Sequence, residues 1–367
     1  MKFPSAVTTA LNRLSDAGFE SYPVGGCVRD FLRGVTPFDF DITTSALPTQ
    51  VKDLFFDFQV IETGLKHGTV TVLIDEIPLE ITTFRTDLGY SDGRHPDKVA
   101  FAASLREDLA RRDFTINALA WGADGLIDYY GGTDDLSAKT IRCVGDAKTR
   151  FTEDALRILR GLRFASTLDF HIEDETARAM LTCAHLLSRV STERVCEELS
   201  RLVCGAAAER VVRAFYPVFR AVLPNLATDF SRLSALPPDK CLRLAAFLGN
   251  TDSLSHLKLS AHDTRLIKTL LTADPPVLLT RYAALACKAR YKEYAQAVCA
   301  YHGVTNLEEL CGDGIWEVSQ LAIGGNALTA RGYHGKAVGD ALSKLLLRVM
   351  RGELENTQEA LLCALED

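Results

Sequence analysis

The chain has 367 residues, enough for two or three domains with hydrophobic cores, and no apolar run reaches the ~18 residues of a membrane span. Its formal net charge is −7, which disfavours broad, non-specific nucleic-acid binding and restricts any basic surface to a local patch. The 10 cysteines include no C-x-x-C pair, so we expect reduced thiols, no zinc site and a cytoplasmic protein. The N-terminal residues are typical of an amphipathic helix and not of a secretory signal.

The first informative motif is a strand, a glycine pair and a helix. The sequence predicts a short strand at Tyr22–Val24 and an amphipathic helix at Cys27–Leu32. Gly25 and Gly26 lie between them, where glycines let backbone N–H groups approach phosphate oxygens. The N-terminus of the helix favours negative charge. A Gly-Gly pair is common at such turns, so its meaning depends on the residues that come after it.

The second motif is an Asp-x-Asp pattern in the next predicted strand, Phe38–Thr43. Residues two apart in a strand point to the same face, so we expect Asp39 and Asp41 to lie side by side. The residues alternating with them are expected to face the core: Phe38, Phe40 and Ile42. Two neighbouring carboxylates on a rigid strand can hold two divalent ions roughly 3.5–4 Å apart, the arrangement used in phosphoryl transfer. An isolated Asp-x-Asp is usually a surface pattern, whereas its combination with the glycine turn is a more specific signal of a phosphoryl-transfer site.

The strings GGCVRD (25–30) and DFDITT (39–44) together resemble the head of nucleotidyltransferases of the DNA polymerase β superfamily. The closer resemblance is to the bacterial (class II) CCA-adding enzyme and poly(A) polymerase branch. That family usually carries Lys or another polar residue where this chain has Phe38. The resemblance implies that Asp39 and Asp41 are catalytic and hold two Mg2+ ions, and that Gly26 and Arg29 position a nucleotide.

The resemblance also implies an α+β fold, with an N-terminal mixed-sheet nucleotidyltransferase head followed by an all-α neck, body and tail. We expect the catalytic head at 1–138, the helical neck with a nucleotide-reading motif at 139–203, the helical body at 204–315 and the helical tail at 316–367. The similarity is dense from the first strand to about Val203.

Two further predicted strands of the head, Thr69–Ile74 and Ile77–Thr83, have the pattern of a hairpin. Glu80 on the second strand is either a third, supporting carboxylate or a solvated glutamate, and the sequence leaves both open. The string GLKHGTVTV (64–72) resembles the CCA-adding branch, since poly(A) polymerases tend to carry a more basic segment here. The polar, glycine-containing stretch Arg85–Val99 predicts a mobile loop.

The string RRDFTINA (111–118) matches the second motif of the family without a gap. An arginine suits a triphosphate because its planar guanidinium can bind oxygens bidentately, which assigns Arg112 to the nucleotide. Asn117 could form a hydrogen bond with a ribose hydroxyl. Without the resemblance, a pair of arginines would more often be a solvated helix end.

The neck begins with a predicted helix at Thr152–Ser166, whose string EDALRILRGLRFA matches the nucleotide-reading motif of the family. Its spacing predicts a buried face made of Ala155, Ile158, Leu159 and Leu162. An Asp can accept a hydrogen bond from the exocyclic amine of C or A, and an Arg can donate to ring and carbonyl acceptors. By resemblance, Asp154 and Arg157 read the base, with Arg160 and Arg163 nearby on phosphate or base.

The C-terminal half is helical and less distinctive. Many relatives carry a metal-binding His-Asp domain here, whereas this chain has Gly249 and Asn250 in the corresponding place. His262 and Asp263 have no matched set of ligands, so we expect no hydrolase site. The tail is expected either to contact tRNA or to form a capping helix pair, and its basic residues are Lys336, Lys344, Arg348 and Arg351.

The sequence thus predicts a template-independent tRNA nucleotidyltransferase that adds C, C and A to the tRNA 3′ end from CTP and ATP. Expected partners are tRNA, CTP and ATP, with no membrane and no DNA. An enzyme that adds only A, a poly(A) polymerase, and more distantly a non-catalytic RNA-binding relative are the alternatives. The sequence does not decide the oligomeric state or the range of tRNAs.

Overall fold

The computed structural model describes residues 3–62, 68–88, 98–101, 104–277 and 280–365. The chain divides into two compact units. The first comprises Met1–Ser234 with Ser255–Lys258, and the second comprises Ala235–Leu254 with Leu259–Asp367. Within the described ranges, no helix is long and apolar enough to cross a membrane. The predicted division into head, neck, body and tail at finer boundaries stays a prediction.

The first unit is built on a mixed seven-stranded sheet whose strand order is β3-β4-β5-β2-β1-β8-β9. Within it, β2 and β5 run parallel and the other neighbours run antiparallel. The strands of the chain are β1 (Ser21–Val24), β2 (Phe40–Thr44), β3 (Gln59–Ile61), β4 (Thr69–Ile74), β5 (Ile77–Thr83), β6 (Arg85–Leu88), β7 (Lys98–Phe101), β8 (Leu119–Gly122), β9 (Gly125–Asp128), β10 (Thr140–Ile141) and β11 (His171–Ile172).

The helices of the first unit follow the same chain order. They are α1 (Ser5–Asp16), α2 (Gly26–Leu32), α3 (Pro48–Leu54), α4 (Leu105–Ala110), α5 (Gly132–Ser137), α6 (Ala147–Glu153), α7 (Leu156–Leu168), α8 (Asp174–Cys183), α9 (Thr192–Val203), α10 (Ala208–Ala214) and α11 (Tyr216–Val222).

One face of the sheet is covered by apolar residues of α1 and α3, which share a core with β2, β4 and β5. On β2, Phe40 and Ile42 are buried in this core. Because side chains alternate along a strand, Asp41 points to the opposite face. The hairpin Thr69–Ile74 with Ile77–Thr83 is confirmed with its predicted bounds, and its turn residues Asp75 and Glu76 have φ of 48° and 62°.

The Asp-x-Asp strand is shorter than predicted. It begins at Phe40 instead of Phe38, because the pairing with β1 reaches only Asp41, opposite Val24, and the pairing with β5 reaches only Phe40, opposite Leu79. Phe38 is 98% exposed, so the expectation that it faces the core is wrong. Asp39 lies just before the strand and is exposed.

The predicted neck helix Thr152–Ser166 is in fact two helices. Thr152 lies within α6, where its hydroxyl donates to the carbonyl of Lys148, and α7 begins only at Leu156. Asp154 separates them with extended backbone angles, φ −142° and ψ 104°, and its carboxylate accepts from the N–H of Leu156. Aspartate favours such breaks because its side chain competes for backbone donors. The predicted buried face is confirmed for Ala155, Ile158, Leu159 and Leu162.

The ends of the predicted loop Arg85–Val99 are not loop. Strands β6 and β7 pair antiparallel, with Arg85 opposite Phe101 and Leu88 opposite Lys98. The middle of the predicted loop, 89–97, lies outside the described residues, as do positions 64–67 of the string GLKHGTVTV.

The second unit is helical in its described part and has its own apolar core, which includes Leu285, Cys299 and Leu345. Gly249 ends its first full helix with φ of 67°, and the side chain of Asn250 accepts from the N–H of Ser253. The remaining helices are α12 (Arg232–Ala235), which spans the boundary between the units along the chain, and α13 (Lys240–Leu248), α14 (Ala261–Thr272), α15 (Arg281–Tyr291), α16 (Ala295–Tyr301), α17 (Leu307–Cys311), α18 (Gly325–Thr329), α19 (Lys336–Met350) and α20 (Gln358–Cys363).

Candidate active site

The carboxylates of Asp39 and Asp41 lie at the start of β2, in the first unit. Asp41 pairs in register with Glu80 on the neighbouring strand β5. Burial raises the pKa of Asp41 to about 6, Arg112 opposes this shift, and the negative charges of Glu80 and Asp39 add to it. Three acidic side chains therefore act on one another at this edge of the sheet.

This donor set fits a divalent cation. Carboxylate oxygens are ligands that Mg2+ prefers, and a cation would stabilise the ionised form of Asp41, which burial and the neighbouring acids disfavour. In the part of the chain that the structure describes, no group of three or more His, Cys, Asp or Glu side chains is arranged to hold a metal ion. The pair Asp39 and Asp41 is thus the candidate ligand set, and Glu80 acts on it electrostatically.

Gly25 forms the turn between β1 and α2, close to these carboxylates. Its φ of 76° is one that residues with a side chain rarely adopt. A Cβ atom at this position would lie 2.7 Å from Nη1 of Arg112 and 3.8 Å from Oδ2 of Asp41. The turn therefore needs a glycine for its conformation and for the close approach of the arginine. Gly26 is the first residue of α2.

Arg29 and Asn117 form a buried hydrogen-bonded pair beside the turn. Nη1 of Arg29 donates to Oδ1 of Asn117 at 2.6 Å, and Asp30 accepts from Nε and Nη2 of Arg29 at 2.9 and 2.8 Å. The amide nitrogen of Asn117 donates to Asp113 at 3.1 Å. Asn117 is only 7% exposed, so its geometry favours orienting Arg29 over contacting a ribose directly.

Arg112 lies between the carboxylates and a buried aspartate. Its Nη1 donates weakly to the carbonyl of Asn117 at 3.4 Å, and its Nη2 lies 3.6 Å from Oδ2 of Asp108. Its Nε is buried and has no hydrogen-bond partner among the described residues. Since a buried N–H without a partner is costly, this guanidinium is suited to an additional acceptor such as a phosphate oxygen.

The two predicted base readers have separate partners. Asp154 accepts from Nη2 of Arg194 on α9 at 2.7 Å. Arg157 donates to Glu153 at 2.6 Å and to the carbonyl of Arg111 at 3.0 Å. These contacts fix the orientation of both side chains, and they identify Arg194 and Glu153 as positioning residues.

The next two arginines of α7 are held by acids from other elements. Arg160 donates to Asp113 at 2.9 Å, and Arg163 donates to Glu198 on α9 at 2.6 Å. Burial alone would raise the pKa of Asp113, but Arg160 and the amide of Asn117 outweigh it and lower the pKa to about 2. The guanidinium of Arg163 lies 4.0 Å from the ring centroid of Phe164.

One cleft of about 670 Å³ brings these groups together. Every site residue predicted from the sequence lines it: Gly26, Arg29, Asp39, Asp41, Arg112, Asn117, Asp154, Arg157, Arg160 and Arg163. The roles assigned to them stay predictions. The acidic partners Asp113 and Glu198 and the ring of Phe164 were not predicted as site residues. Acidic partners could have been expected from the sequence, because the arginines of α7 are closely spaced and the chain has a net negative charge.

Comparison with protein families identifies two matching models. Residues 21–142 match the poly A polymerase head domain, and residues 169–229 match a domain described as a probable RNA and SrmB binding site of polymerase A. The first match contains the carboxylate pair, the glycine turn and Arg112. The second runs from the residue after α7 to beyond the end of α11.

Relatives of known name are CCA-adding enzymes. The chain is 40% identical over 382 residues to that of Latilactobacillus sakei, covering 96% of each protein. It is 51% identical over 206 residues to that of Streptococcus uberis, covering 55% of this chain and 51% of the relative. Several such alignments span only about half of the relative's length, from 50% to 58%.

One solved structure supports the same family, and a second shares its fold. The Bacillus stearothermophilus CCA-adding enzyme in complex with CTP superposes with a TM-score of 0.86 at 32% identity, covering 100% of this chain and 98% of that one. The Thermotoga maritima CCA-adding enzyme complexed with tRNA has the same fold, with a TM-score of 0.72 at 20% identity over 100% and 96% of the two chains. Enzymes of this kind are nucleotidyltransferases that generally use divalent metals. With nearly full-length similarity in sequence and in fold, this chain belongs to the family of CCA-adding enzymes.

Proposed function

We propose that this protein adds C, C and A to the 3′ end of tRNA, using CTP and ATP without a nucleic-acid template and releasing pyrophosphate. The observation that carries the proposal is the single cleft in which a carboxylate pair, a set of arginines and an Asp-Arg pair converge. The 40% identity to a CCA-adding enzyme over 96% of each protein supports it. We place this reaction in the cytoplasm.

Asp39 and Asp41 are the residues that would hold two Mg2+ ions. When bound, the ions lower the pKa of the primer 3′-hydroxyl and neutralise charge on the triphosphate and the leaving pyrophosphate. Burial raises the pKa of Asp41 to about 6, and a bound cation would favour its ionised form. Glu80 contributes negative charge to the same edge.

Arg29 and Arg112 position the triphosphate. The unused Nε of Arg112 and its place beside Asp41 suit a contact with phosphate oxygens next to the reacting bond. Arg29 is oriented by Asn117 and Asp30, and the turn at Gly26 lets the nucleotide approach the backbone. Arg160 and Arg163 supply further positive charge on the neck side of the cleft.

Asp154 and Arg157 select the base. The carboxylate of Asp154 accepts from the exocyclic amine that cytosine and adenine share, and Arg157 donates to ring and carbonyl acceptors. Uracil and guanine do not present an amine in that position, so they are rejected. The pairs Asp154 with Arg194 and Arg157 with Glu153 keep both readers in place.

In the reaction, the primer 3′-oxygen attacks the α-phosphorus in line, forming the new P–O bond as the bond to pyrophosphate breaks. The chain itself binds, orients and selects, and most of the catalytic effect comes from positioning and electrostatics.

The test offers tRNA transcripts that end before CCA, after C and after CC, each with one labelled NTP at a time. We expect C addition to the first two and A addition to the third. Asp39→Ala and Asp41→Ala are expected to lower incorporation at least about a thousandfold without unfolding the protein, as the loss of metal ligands predicts.

Each alternative has its own product pattern. Labelled A on the third transcript only, with no C on the first two, would indicate an enzyme that adds A alone. Long A tails on any RNA end would indicate a poly(A) polymerase. The absence of any incorporation would leave an RNA-binding relative, and substantial Mg2+-dependent activity in either Asp variant would contradict the metal assignment.

A further inference from the structure

An exposed aromatic side chain directly precedes the first carboxylate of the cleft. Phe38 is 98% exposed, and its neighbour Asp39 lines the cleft that also contains Asp41. A phenylalanine has no polar group that would gain from contact with water, so full exposure brings no stability to the fold. Scattered single apolar residues need no explanation, but this one lies one residue from the proposed reaction centre.

The segment before Phe38 is also apolar on its surface. Val35 is 48% exposed. A groove of about 480 Å³ is lined by Phe31, Val35, Pro37 and Phe40, among others. Phe38 therefore lies in sequence between residues of an apolar groove, Pro37 and Phe40, next to Asp39 of the arginine-rich cleft. The phosphates of a substrate suit the cleft, and a flat apolar ligand suits the surface beside it.

We propose that Phe38 is a primer-binding residue, on which the terminal base of the tRNA 3′ end stacks. This inference rests on the proposed function. The 3′-hydroxyl must reach the carboxylates Asp39 and Asp41, so the nucleotide that carries it must lie within one nucleotide's length of them. Unpaired RNA ends are commonly bound by stacking their bases on aromatic side chains.

Stacking also suits the changing primer. The primer ends in the tRNA's own last base before the first C is added, and in C after the first and second additions, while the hydroxyl must return to the same carboxylates each time. Hydrogen-bond readers would discriminate among these ends, whereas an aromatic ring accepts any base because every base has a π-face. Phe38 would thus hold successive ends without selecting among them, and selection stays with the incoming nucleotide at Asp154 and Arg157.

The test compares Phe38→Ala, Phe38→Tyr and Phe56→Ala with the unchanged protein. Phe56 is the matched control, because it is 83% exposed on the same unit and, unlike Phe38, is not adjacent in sequence to a carboxylate that lines the cleft. Steady-state kinetics on the three transcripts give the KM for tRNA at saturating nucleotide and the KM for nucleotide at saturating tRNA. Thermal unfolding is measured in parallel, and light scattering gives the oligomeric state.

We expect Phe38→Ala to raise the KM for all three transcripts about fivefold to tenfold, the lower part of the range for one base stacked on one ring. The KM for CTP and the unfolding temperature should stay unchanged. Phe38→Tyr keeps the ring and should restore binding, and Phe56→Ala should behave as the unchanged protein. With 2-aminopurine as the terminal base, the unchanged protein should quench its fluorescence and Phe38→Ala should not.

Equal tRNA KM values for Phe38→Ala and the unchanged, active protein would overturn the inference and leave the proposed function standing. A change of oligomeric state as the only effect would also overturn it, since Phe38 would then contact a second copy of the chain. If the unchanged protein extends none of the transcripts, the proposed function fails and this inference fails with it.

Discussion

The arginines of the cleft are held in place by neighbouring carboxylates. Arg29 binds Asp30, Arg160 binds Asp113, and Arg163 binds Glu198. A long flexible side chain loses conformational entropy when it binds a ligand. Here the ion pairs order the arginines before a ligand binds, so binding costs less entropy. The nucleotide therefore encounters guanidinium groups in defined positions.

A comparison of Gly25→Ala with Gly18→Ala separates the effect of backbone strain from the effect of a contact with Arg112. We expect Gly18→Ala to lower the free energy of unfolding by about 1–2 kcal/mol because of its positive φ, and Gly25→Ala to lower it by more, because its φ of 76° and ψ of −128° lie outside the left-handed helical region. Only at Gly25 would the new methyl group meet another residue, 2.7 Å from Nη1 of Arg112, whereas nothing lies within 4 Å at Gly18. Gly25→Ala alone should therefore raise the nucleotide KM and lower kcat. Similar activity in the two variants would show that the contact with Arg112 does not matter.

Asp113 binds Arg160 of α7, and its charge should make stability depend on pH. Its pKa in the folded protein is about 2, below its ordinary value, so the folded state favours the ionised form. The resulting stabilisation is present above about pH 4 and is lost as pH falls through about 2. We expect Asp113→Asn to lower the free energy of unfolding by roughly 2–4 kcal/mol at pH 7, because it removes the nearer of the two carboxylates that pair with Arg160 and leaves only Glu198, at 3.7 Å.

The measurement is thermal unfolding of both proteins at pH 7, 5, 4 and 3. The difference in unfolding temperature should be constant from pH 7 to 5 and should shrink below about pH 4. Asp53→Asn, at an exposed position on α3, serves as the control and should show little difference throughout. A difference that grows on acidification would contradict the assignment.

At the scale of elements, the break between α6 and α7 contains Asp154, the proposed base-reading residue. In a continuous helix, Asp154 would be one of several polar residues on the solvent-facing side of that helix. In the extended connection, its carboxylate caps α7 through Leu156 and also binds Arg194 of α9. Asp154 is thus fixed from two directions, by its own helix and by a second one.

We expect Asp154→Ala to relax the choice of nucleotide. Loss of one base-reading interaction should lower the preference for CTP over UTP by roughly tenfold to a hundredfold, the range for a good side-chain contact to a base edge. The measurement is the ratio of single-turnover rates with each NTP, because a ratio does not depend on the fraction of folded enzyme. Asp169→Asn breaks an ion pair with Arg210 at the other end of α7 and should leave the ratio unchanged. Continued exclusion of UTP and GTP would rule out the base-reading role.

The sequence correctly predicted those helices and strands whose conformation is determined by residues close together in the chain. The hairpin around Asp75 and the buried face of α7 follow from side-chain alternation and helical spacing alone. The start of β2 did not, because it depends on where β1 ends, a matter of pairing between distant segments. The partners of the arginines were missed for the same reason, since Glu198 lies 35 positions from Arg163 along the chain.

At the scale of the whole molecule, the predicted catalytic residues all belong to the first compact unit. The second unit has a separate core and contains the helix α19 with its basic residues. The described residues of this second unit hold no metal-ion cluster, and Asp263 there is bound by Lys240 at 2.6 Å. The absence of a hydrolase activity stays a prediction. Substitutions in the first unit can therefore be used to test nucleotide addition, and substitutions in α19 to test tRNA binding by the tail.

The tail thus offers a test of how a chain with net charge −7 binds RNA. We expect the double variant Lys344→Gln, Arg348→Gln on α19 to raise the KM for tRNA and leave the KM for CTP unchanged, since no residue of α19 lines the cleft. For every phosphate interaction that the substitutions remove, the slope of log Kd against log salt concentration should fall by about 0.7–0.9.

The matched control is Arg265→Gln, Lys268→Gln, which removes the same charge from exposed positions on α14 of the same unit. The measurement is the tRNA Kd of each protein between low and physiological salt. A smaller slope in the α19 variant alone would assign the tail to tRNA binding, because only charges that displace counterions from the RNA affect it. Equal slopes in all three proteins would mean that α19 is a capping helix, and an equal reduction in both variants would indicate an effect of net charge and no local contact.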